Sequence, residues 1–246
     1  MRPALRAPVE VGAPCKPPND RIDPVKQLAE GLYQLDGRPP NAINVYLAGD
    51  VLIDAGTRQA EGRIMRQLQG RTVTAHALTH AHPDHQGSSH AVCERLGIPL
   101  WCGEADVPAI ETPGAIKNPK VPGWVNWVQE RYWTGPPHPV ARVLHEGDEV
   151  AGFTVLETPG HSVGHISLWR EADRTLIVGD VLGTINFITG IPGLTTPPDL
   201  FTPNPARNRE SARRLAALEP ALACFGHGKP LRDPEKLSEF VARLPR

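Results

Sequence analysis

Charge of one sign is what this chain most plainly lacks. Across 246 residues, 26 Lys and Arg stand against 27 Asp and Glu, a formal net charge of −1. No broad field is available to draw in a polyanion, so the expected partner is a small-molecule substrate, with no nucleic acid and no membrane surface. No apolar run approaches the ~20 residues of a spanning helix. The opening MRPALRAPVEVGAPCKPPND contains no apolar core of signal-peptide length. Cysteine is sparse: Cys15, Cys93, Cys102 and Cys224 form no CxxC pair, which argues against a zinc knuckle or a disulfide framework. A cytoplasmic location is therefore expected. Proline and histidine, by contrast, are plentiful, at 27 and 10 residues. Proline shortens regular elements and stiffens loops, whereas histidine is where chemistry near neutral pH is to be sought.

Residues 1–28 read as an irregular lead-in, with a short helical stretch at Pro24–Glu30, ahead of a single domain over residues 29–246. From Gly31 the short apolar runs GLYQL, AINVYLAG and VLIDAG are separated by Gly, Pro and Asp, which predicts adjacent antiparallel strands. Arg58–Gln69 carries Ile64, Met65 and Leu68 on one face and stops at Gly70, predicting an amphipathic helix. TVTAHALT predicts a strand running into the loop HAHPDHQG, followed by a helix over Ser88–Leu96 closed by Gly97. After the short strand IPLWC, residues 106–139 turn irregular and carry Trp124, Trp127, Tyr132 and Trp133. This segment is expected to be an insertion or lid.

ARVLHEGDEV, FTVLETPG, HISLWR and TLIVGD form a second strand-rich half. The helix SARRLAALEP, the strand and turn ALACFGHG, and a last helix PEKLSEFVARL complete the chain. Strands followed by helix in each half predict an α+β fold: two mixed β-sheets packed together with helices on the outer faces, a four-layer αββα sandwich.

The string THAHPDHQG gathers His80, His82, Asp84 and His85. His80 and His82 are two apart, so in an extended stretch their imidazoles leave the same side and can share one ion. Asp84 and His85 suit a second ion nearby. An isolated HxH is ordinarily a solvated loop, but HxHxDH at a strand exit is far more specific. Two metal sites need more donors than this cluster holds. His161 in TPGHSVGHIS, Asp180 in LIVGD and His227 in FGHG each end an apolar run, where loops on a rigid scaffold collect functional groups. All these donors are imidazole or carboxylate, which suits two divalent ions per chain, zinc first, with iron or manganese as alternatives.

With HxHxDH, TPGH, GD at a strand end and GHG in that order between about Gly31 and Pro230, the chain resembles the metallo-β-lactamase superfamily, in particular its glyoxalase II-like and acyl-homoserine lactonase-like hydrolases. The resemblance implies that His80, His82 and His161 hold one metal, that Asp84, His85 and His227 hold the second, and that Asp180 bridges both. Asp84 and Asp180 are then the carboxylates at the reacting centre. Asp54 of LIDAG is implied to sit behind the ligands. The implied activity is metal-dependent hydrolysis with a bridging hydroxide as nucleophile.

Departures from particular branches narrow the substrate. Only residues 228–246 follow His227, whereas glyoxalase II continues with a helical glutathione-binding segment. Class B β-lactamases lack an aspartate matching Asp180, and RNase Z-like nucleases add a tRNA-binding arm and a basic surface. A small ester-type substrate, lactone first and acyl thioester next, is the expectation. The alternatives are a mononuclear-iron persulfide dioxygenase-like oxidoreductase built on His80, His161 and Asp180, or β-lactamase or phosphodiesterase activity on the same fold.

Other residues have plainer readings. His165 is expected to support a ligand rather than to be one, because the set is complete without it. His76 and His90 read as structural or solvated, and His138 and His145 carry no spacing signal. Cys224 in ALACF reads as core. Trp124, Trp127, Tyr132 and Trp133 either wall the substrate or pack the insertion against the body or a homodimer partner.

Overall fold

The computed structural model describes residues 9–10, 25–112, 120–186 and 189–245. Its first half runs β1 (Val9–Glu10), β2 (Lys26–Ala29), β3 (Leu32–Leu35), β4 (Val45–Ala48), β5 (Val51–Ile53), α1 (Glu61–Gln67), β6 (Thr72–Val73), β7 (Ala75–Ala77), α2 (Pro83–Gln86), α3 (Ser89–Leu96) and β8 (Leu100–Gly103). There follow α4 (Val107–Glu111), α5 (Gly123–Tyr132), β9 (Val140–Leu144), β10 (Glu149–Val150), β11 (Phe153–Glu157), β12 (Ile166–Arg170) and β13 (Thr175–Gly179). The hairpin β14 (Gly183–Ile185) and β15 (Pro192–Thr195), then α6 (Pro205–Ala216), β16 (Leu222–Phe225) and α7 (Pro234–Ala242), close the chain. The abundant proline finds a use here: α2, α4, α6 and α7 all carry it in their first two positions, where the missing N–H costs no intrahelical bond.

A seven-stranded sheet in the order β2-β3-β4-β5-β7-β8-β9 faces a five-stranded sheet in the order β10-β11-β12-β13-β16. Alternation along the strands creates the layers. On β4 and β5, Val45, Leu47 and Leu52 join Ile64 and Leu68 of the α1 region and Val92, Cys93 and Leu96 of α3 in one core. Their neighbours Tyr46, Ala48, Val51 and Ile53 turn the other way, to meet Phe153, Val155, Ile177 and Cys224 between the sheets. The five-stranded sheet presents Leu176, Val178, Ala223 and Phe225 to Ala212 and Leu215 of α6 and to Leu237 and Val241 of α7. Three apolar cores thus separate four layers, with each fully buried Leu, Ile or Phe worth roughly 1.5–3 kcal/mol.

Several local expectations change. Lys26–Ala29, within the expected Pro24–Glu30 helical stretch, is a strand, pairing with β3 in a register that places Lys26 opposite Gln34; sheet pairing overrides a short helical tendency. Asp84 and His85 lie on the short helix α2 rather than in a loop. The described part of segment 106–139 is not irregular throughout, since it contains α4 and α5. β9 belongs to the first sheet, running parallel to β8. Among the described residues no helix is long and apolar enough to cross a membrane. Cys15 and most of the lead-in lie outside the described residues.

Candidate metal centre

The two sheets deliver their polar residues to one edge. β5 and β7 are parallel and adjacent, as are β13 and β16. Asp54 follows β5, His80 follows β7, Asp180 follows β13 and His227 follows β16. His161 comes from the loop between β11 and β12, while His82, Asp84 and His85 enter on α2 or at its start.

Three sets of donors result, each with its atoms within 4.8 Å of one another: His80, His82 and His161; His80, His85 and Asp180; and Asp84, His85 and His227. Asp180 Oδ2 lies 3.4 Å from His161 Nε2, 3.4 Å from His85 Nε2, 3.0 Å from His227 Nε2 and 3.9 Å from His80 Nε2. Asp84 Oδ2 is 3.2 Å from His227 Nε2. His80 Nε2, His161 Nε2 and Asp180 Oδ1 are buried without a hydrogen-bond partner. Orphaned buried polar atoms are costly, and the two imidazole nitrogens lie beside Asp180 Oδ2, the pattern that a cation would relieve.

Hydrogen bonds behind these side chains fix which imidazole nitrogen faces inward. Asp54 Oδ2 accepts from His85 Nδ1 at 2.8 Å and from the Thr79 hydroxyl at 2.8 Å, while Asp54 Oδ1 accepts from Thr79 N at 2.8 Å. Having donated to Asp54, Thr79 Oγ1 can only accept from His80 Nδ1, 3.0 Å away. The Thr202 hydroxyl donates to Pro198 O at 2.9 Å and so accepts from His161 Nδ1 at 3.3 Å. His227 Nδ1 donates to Ala42 O. In each case Nδ1 is engaged outward and Nε2 faces inward, the orientation that a ligand histidine requires. Asp54 itself adopts the left-handed region at φ 59°, a conformation Asp tolerates better than most residues, and this turns its carboxylate back beneath His85.

Electrostatics divides the histidines. Burial, together with neighbouring imidazoles, holds His80 well below its ordinary value and brings His82 down to about 3, so both are neutral. Burial also opposes charge on His85 and His227, but the carboxylates of Asp180, Asp54 and Asp84 around His85 outweigh it and raise its pKa. Asp180 and Asp84 do the same for His227, which rises to about 10. Burial would raise Asp180 and Asp84, yet the adjacent histidines keep both carboxylates below their ordinary range. The carboxylates around His85 and His227 thus favour positive charge at both positions, which a divalent ion held there would also supply.

His165 uses both ring nitrogens elsewhere. Its Nε2 accepts from Asp180 N at 3.0 Å, and its Nδ1 pairs with Thr158 Oγ1 at 2.9 Å. Thr158 continues to Ser167 at 2.9 Å, whose hydroxyl donates to Val178 O at 2.9 Å. His165 therefore sets the backbone of Asp180 and is not directed at an ion. Gly226 is equally specific: a Cβ there would overlap Asp180 Oδ1 and His85 Cε1.

Two supports escape sequence reasoning. Asp106, 2% exposed, accepts from Ala81 N at 2.9 Å and the Ser162 hydroxyl at 2.8 Å through Oδ2, and from Gly164 N at 2.8 Å through Oδ1. It thereby ties the His80–His82 turn to the His161 loop; nothing in the string GEAD singles it out. Asn44 Nδ2 donates to Phe225 O at 2.8 Å and Gly228 O at 2.7 Å, bracketing His227. Its one signal is a buried amide inside the apolar run AINVYL.

A cavity of about 310 Å³ opens above the cluster, with His82, Asp84, His161, Asp180 and His227 at its floor and Pro83, Ala109, Trp133, Leu182, Ile185 and Phe201 among its walls. Of the four aromatics of segment 106–139 that are candidates for its wall, Trp133 lines it and the other three do not. Trp124, Trp127 and Tyr132 are 71%, 59% and 47% exposed, because α5 buries no residue against the body, whereas Trp133 O is anchored by Arg58 N at 2.9 Å.

Comparison with known proteins agrees with this architecture. Residues 38–227 match the family model of the metallo-beta-lactamase superfamily. The chain is 29% identical to the probable metallo-hydrolase YflN of Bacillus subtilis (strain 168), over 89% of this chain and 92% of that protein. It is 30% identical to the probable metallo-hydrolase YybB of the same organism, over 89% and 98%. Among solved structures, TTHA1623 in a di-iron-bound form superposes with a TM-score of 0.60 at 28% identity, covering 86% of this chain and 91% of that one. With the family model spanning most of its length and its strands and helices arranged in the same fold, the chain belongs to the metallo-beta-lactamase superfamily.

Proposed function

We propose that this protein is a metal-dependent hydrolase that holds two divalent ions and cleaves a small ester-type substrate, a lactone or an acyl thioester. One observation carries the reading: a single carboxylate oxygen, Asp180 Oδ2, stands within 3.0–3.9 Å of His80, His85, His161 and His227, between two imidazole clusters. His80, His82 and His161 would hold one ion, Asp84, His85 and His227 the other, and Asp180 both. Two ions so held supply a water made acidic near neutral pH and a Lewis acid for the carbonyl oxygen.

The chain's own residues do the rest. Asp54, Thr79, Thr202 and the Ala42 carbonyl fix the ligand tautomers, and His165 fixes Asp180. Asp84 and Asp180, both held ionised, are the groups at the cavity floor able to orient a water proton. The walls are largely apolar, which favours an uncharged ester with an apolar acyl portion over a polyanion. Such a site requires no serine or cysteine nucleophile. Burial pushes Cys93, Cys102 and Cys224 up to about 12, so their thiols are unreactive.

The test is elemental analysis of protein purified without added metal, followed by a panel of lactones, thioesters, phosphodiesters and β-lactams. The expected result is two divalent ions per chain, with Asp180→Asn lowering both metal content and ester hydrolysis by orders of magnitude. One iron per chain with persulfide oxidation and no ester hydrolysis would overturn the reading. The di-iron form of TTHA1623 makes iron the first alternative to zinc for the same seven donors.

A further inference from the structure

Three donors meet away from the strand-end cluster and share no residue with it. His90 and Glu94 lie one turn apart on α3, so their side chains leave the same face of the helix. His138, on the strap between α5 and β9, comes down onto that face. His90 Nδ1 and His138 Nδ1 are 3.2 Å apart, and Glu94 Oε1 is 3.9 Å from His138 Nδ1. All three atoms lie within 4.8 Å of one another. Two nitrogens bound at about 2.0–2.1 Å in a tetrahedral site stand about 3.4 Å apart, so the imidazoles are already near the spacing that one ion imposes. The His138 side chain is 11% exposed and that of Glu94 66%, leaving the carboxylate room to swing onto an ion whose remaining position opens to water.

We infer that His90, Glu94 and His138 form a separate binding site for a divalent transition-metal ion, of the zinc class, which clamps the strap to α3. Two imidazoles and one carboxylate are a donor set for zinc, nickel or copper and a poor one for calcium or magnesium, which take oxygen. The position gives the ion a consequence. Trp133, at the start of the strap, walls the cavity and is tied to the body through Arg58 N. His138 N donates to Ile110 O at 3.2 Å, and Val140 N donates to Glu111 Oε1 at 2.8 Å. The strap is therefore held to the α1 side at its beginning and to α4 at its end, and a cation on His138 adds the tie to α3, fixing the segment that carries one wall of the pocket. The competing account is a plain N–H···N bond between two neutral imidazoles.

Zinc titration against a chromophoric chelator, with elemental analysis after desalting, separates the two. The proteins compared are wild type, His90→Ala, His138→Ala, Glu94→Gln and, independently, Asp180→Asn. The expected result is one more tightly held equivalent in wild type than in His90→Ala or His138→Ala, and roughly tenfold weaker binding of that equivalent in Glu94→Gln. Asp180→Asn should keep this equivalent whatever it loses at the strand ends, so the outcome does not depend on the reading of that centre. In cobalt-loaded protein, the difference spectrum of wild type minus His138→Ala should show the visible absorption of a low-coordinate N/O site. Equal stoichiometry in wild type, both alanine variants and Glu94→Gln, with no cobalt difference spectrum, would leave the imidazole pair as a hydrogen bond and overturn the inference. Should either alanine variant fail to fold, Glu94→Gln, at an exposed position, decides by the same titration.

Discussion

Replacing Asp106 by Ala tests whether the candidate centre is held by the chain or assembles around its ions. The substitution removes acceptors from two backbone N–H groups, Ala81 and Gly164, and from the Ser162 hydroxyl. A buried donor left unpaired costs about 1–3 kcal/mol. The hydroxyl can rotate to another acceptor, so the two amides set the scale, about 2–6 kcal/mol. Two effects trim it. Burial raises the Asp106 pKa despite its three hydrogen bonds, so removing the carboxylate relieves some desolvation, and the residue borders the cavity, from which water can reach the vacated space. A net loss of about 2–3 kcal/mol is expected, or roughly 5–10 °C in Tm for a chain of this size.

The larger effect should be on metal. Ala81 lies between His80 and His82, and Ser162 follows His161, so slackening these turns spreads the three donors of one triad. Loss of such outer support typically weakens metal binding about 10–100-fold. Asp106→Asn should fall short of rescue: its one oxygen can serve either Gly164 or the Ala81 and Ser162 pair, and its NH2 then faces a donor. Glu104→Ala, whose side chain is 75% exposed, is the control. Chelator competition and thermal unfolding with and without metal are the assays. An Asp106→Ala protein that keeps metal affinity within about twofold and Tm within about 1 °C would refute the reasoning.

Other expectations follow from the same contacts. Burial depresses His76 to about 4 from 6.5, so its contribution is complete above pH 6.5 and is lost as pH falls through 4. Urea unfolding of metal-free protein between pH 7 and 4 should show up to about 3 kcal/mol more loss in wild type than in His76→Leu, and parallel pH slopes would refute this. His165→Leu removes the acceptor for Asp180 N but no ligand, so saturating metal should still give two ions per chain with affinity about 10–100-fold lower; loss of a whole equivalent would make His165 a ligand. Trp133→Ala should raise KM for an apolar ester several-fold to about tenfold without changing mass in solution, whereas Trp124→Ala and Trp127→Ala should leave KM unchanged. A KM shift in the latter two equal to that of Trp133→Ala would place Trp124 and Trp127 at the pocket wall and refute this.

The layers were legible because alternation is local. Val45, Tyr46, Leu47 and Ala48 announce two buried faces by residue type alone, and both faces then need a covering layer. The strand Lys26–Ala29 was not legible, since a four-residue run declares itself only through its partner, and the helicity of 123–132 was obscured by its exposed Trp124 and Trp127. The candidate donors His80, His82, Asp84, His85, His161, Asp180 and His227 could be singled out because metal chemistry demands residue types that are conspicuous at the ends of apolar runs. The supports behave otherwise. Asp54 and Asp106 do comparable work, each carboxylate binding backbone and a second group, yet Asp54 ends a strand in a recognisable string while Asp106 sits in an ordinary turn.

That asymmetry has a physical origin. A donor is constrained by what it binds, so its type and spacing are restricted; a support is constrained only by where the chain passes. Asp106 reaches Ala81, Ser162 and Gly164 at sequence separations of 25, 56 and 58 residues, contacts no periodicity encodes. Gly164 shows how tightly they are set: a Cβ there would meet Asp106 Cβ and Cγ at 2.9 Å and its backbone N closer still. Parallel strands supply the rest of the answer. Because β5 and β7, like β13 and β16, run in the same direction, their carboxyl ends deliver Asp54, His80, Asp180 and His227 to one edge. The sandwich thereby brings four positions, up to 173 apart in sequence from 54 to 227, to one edge of the molecule.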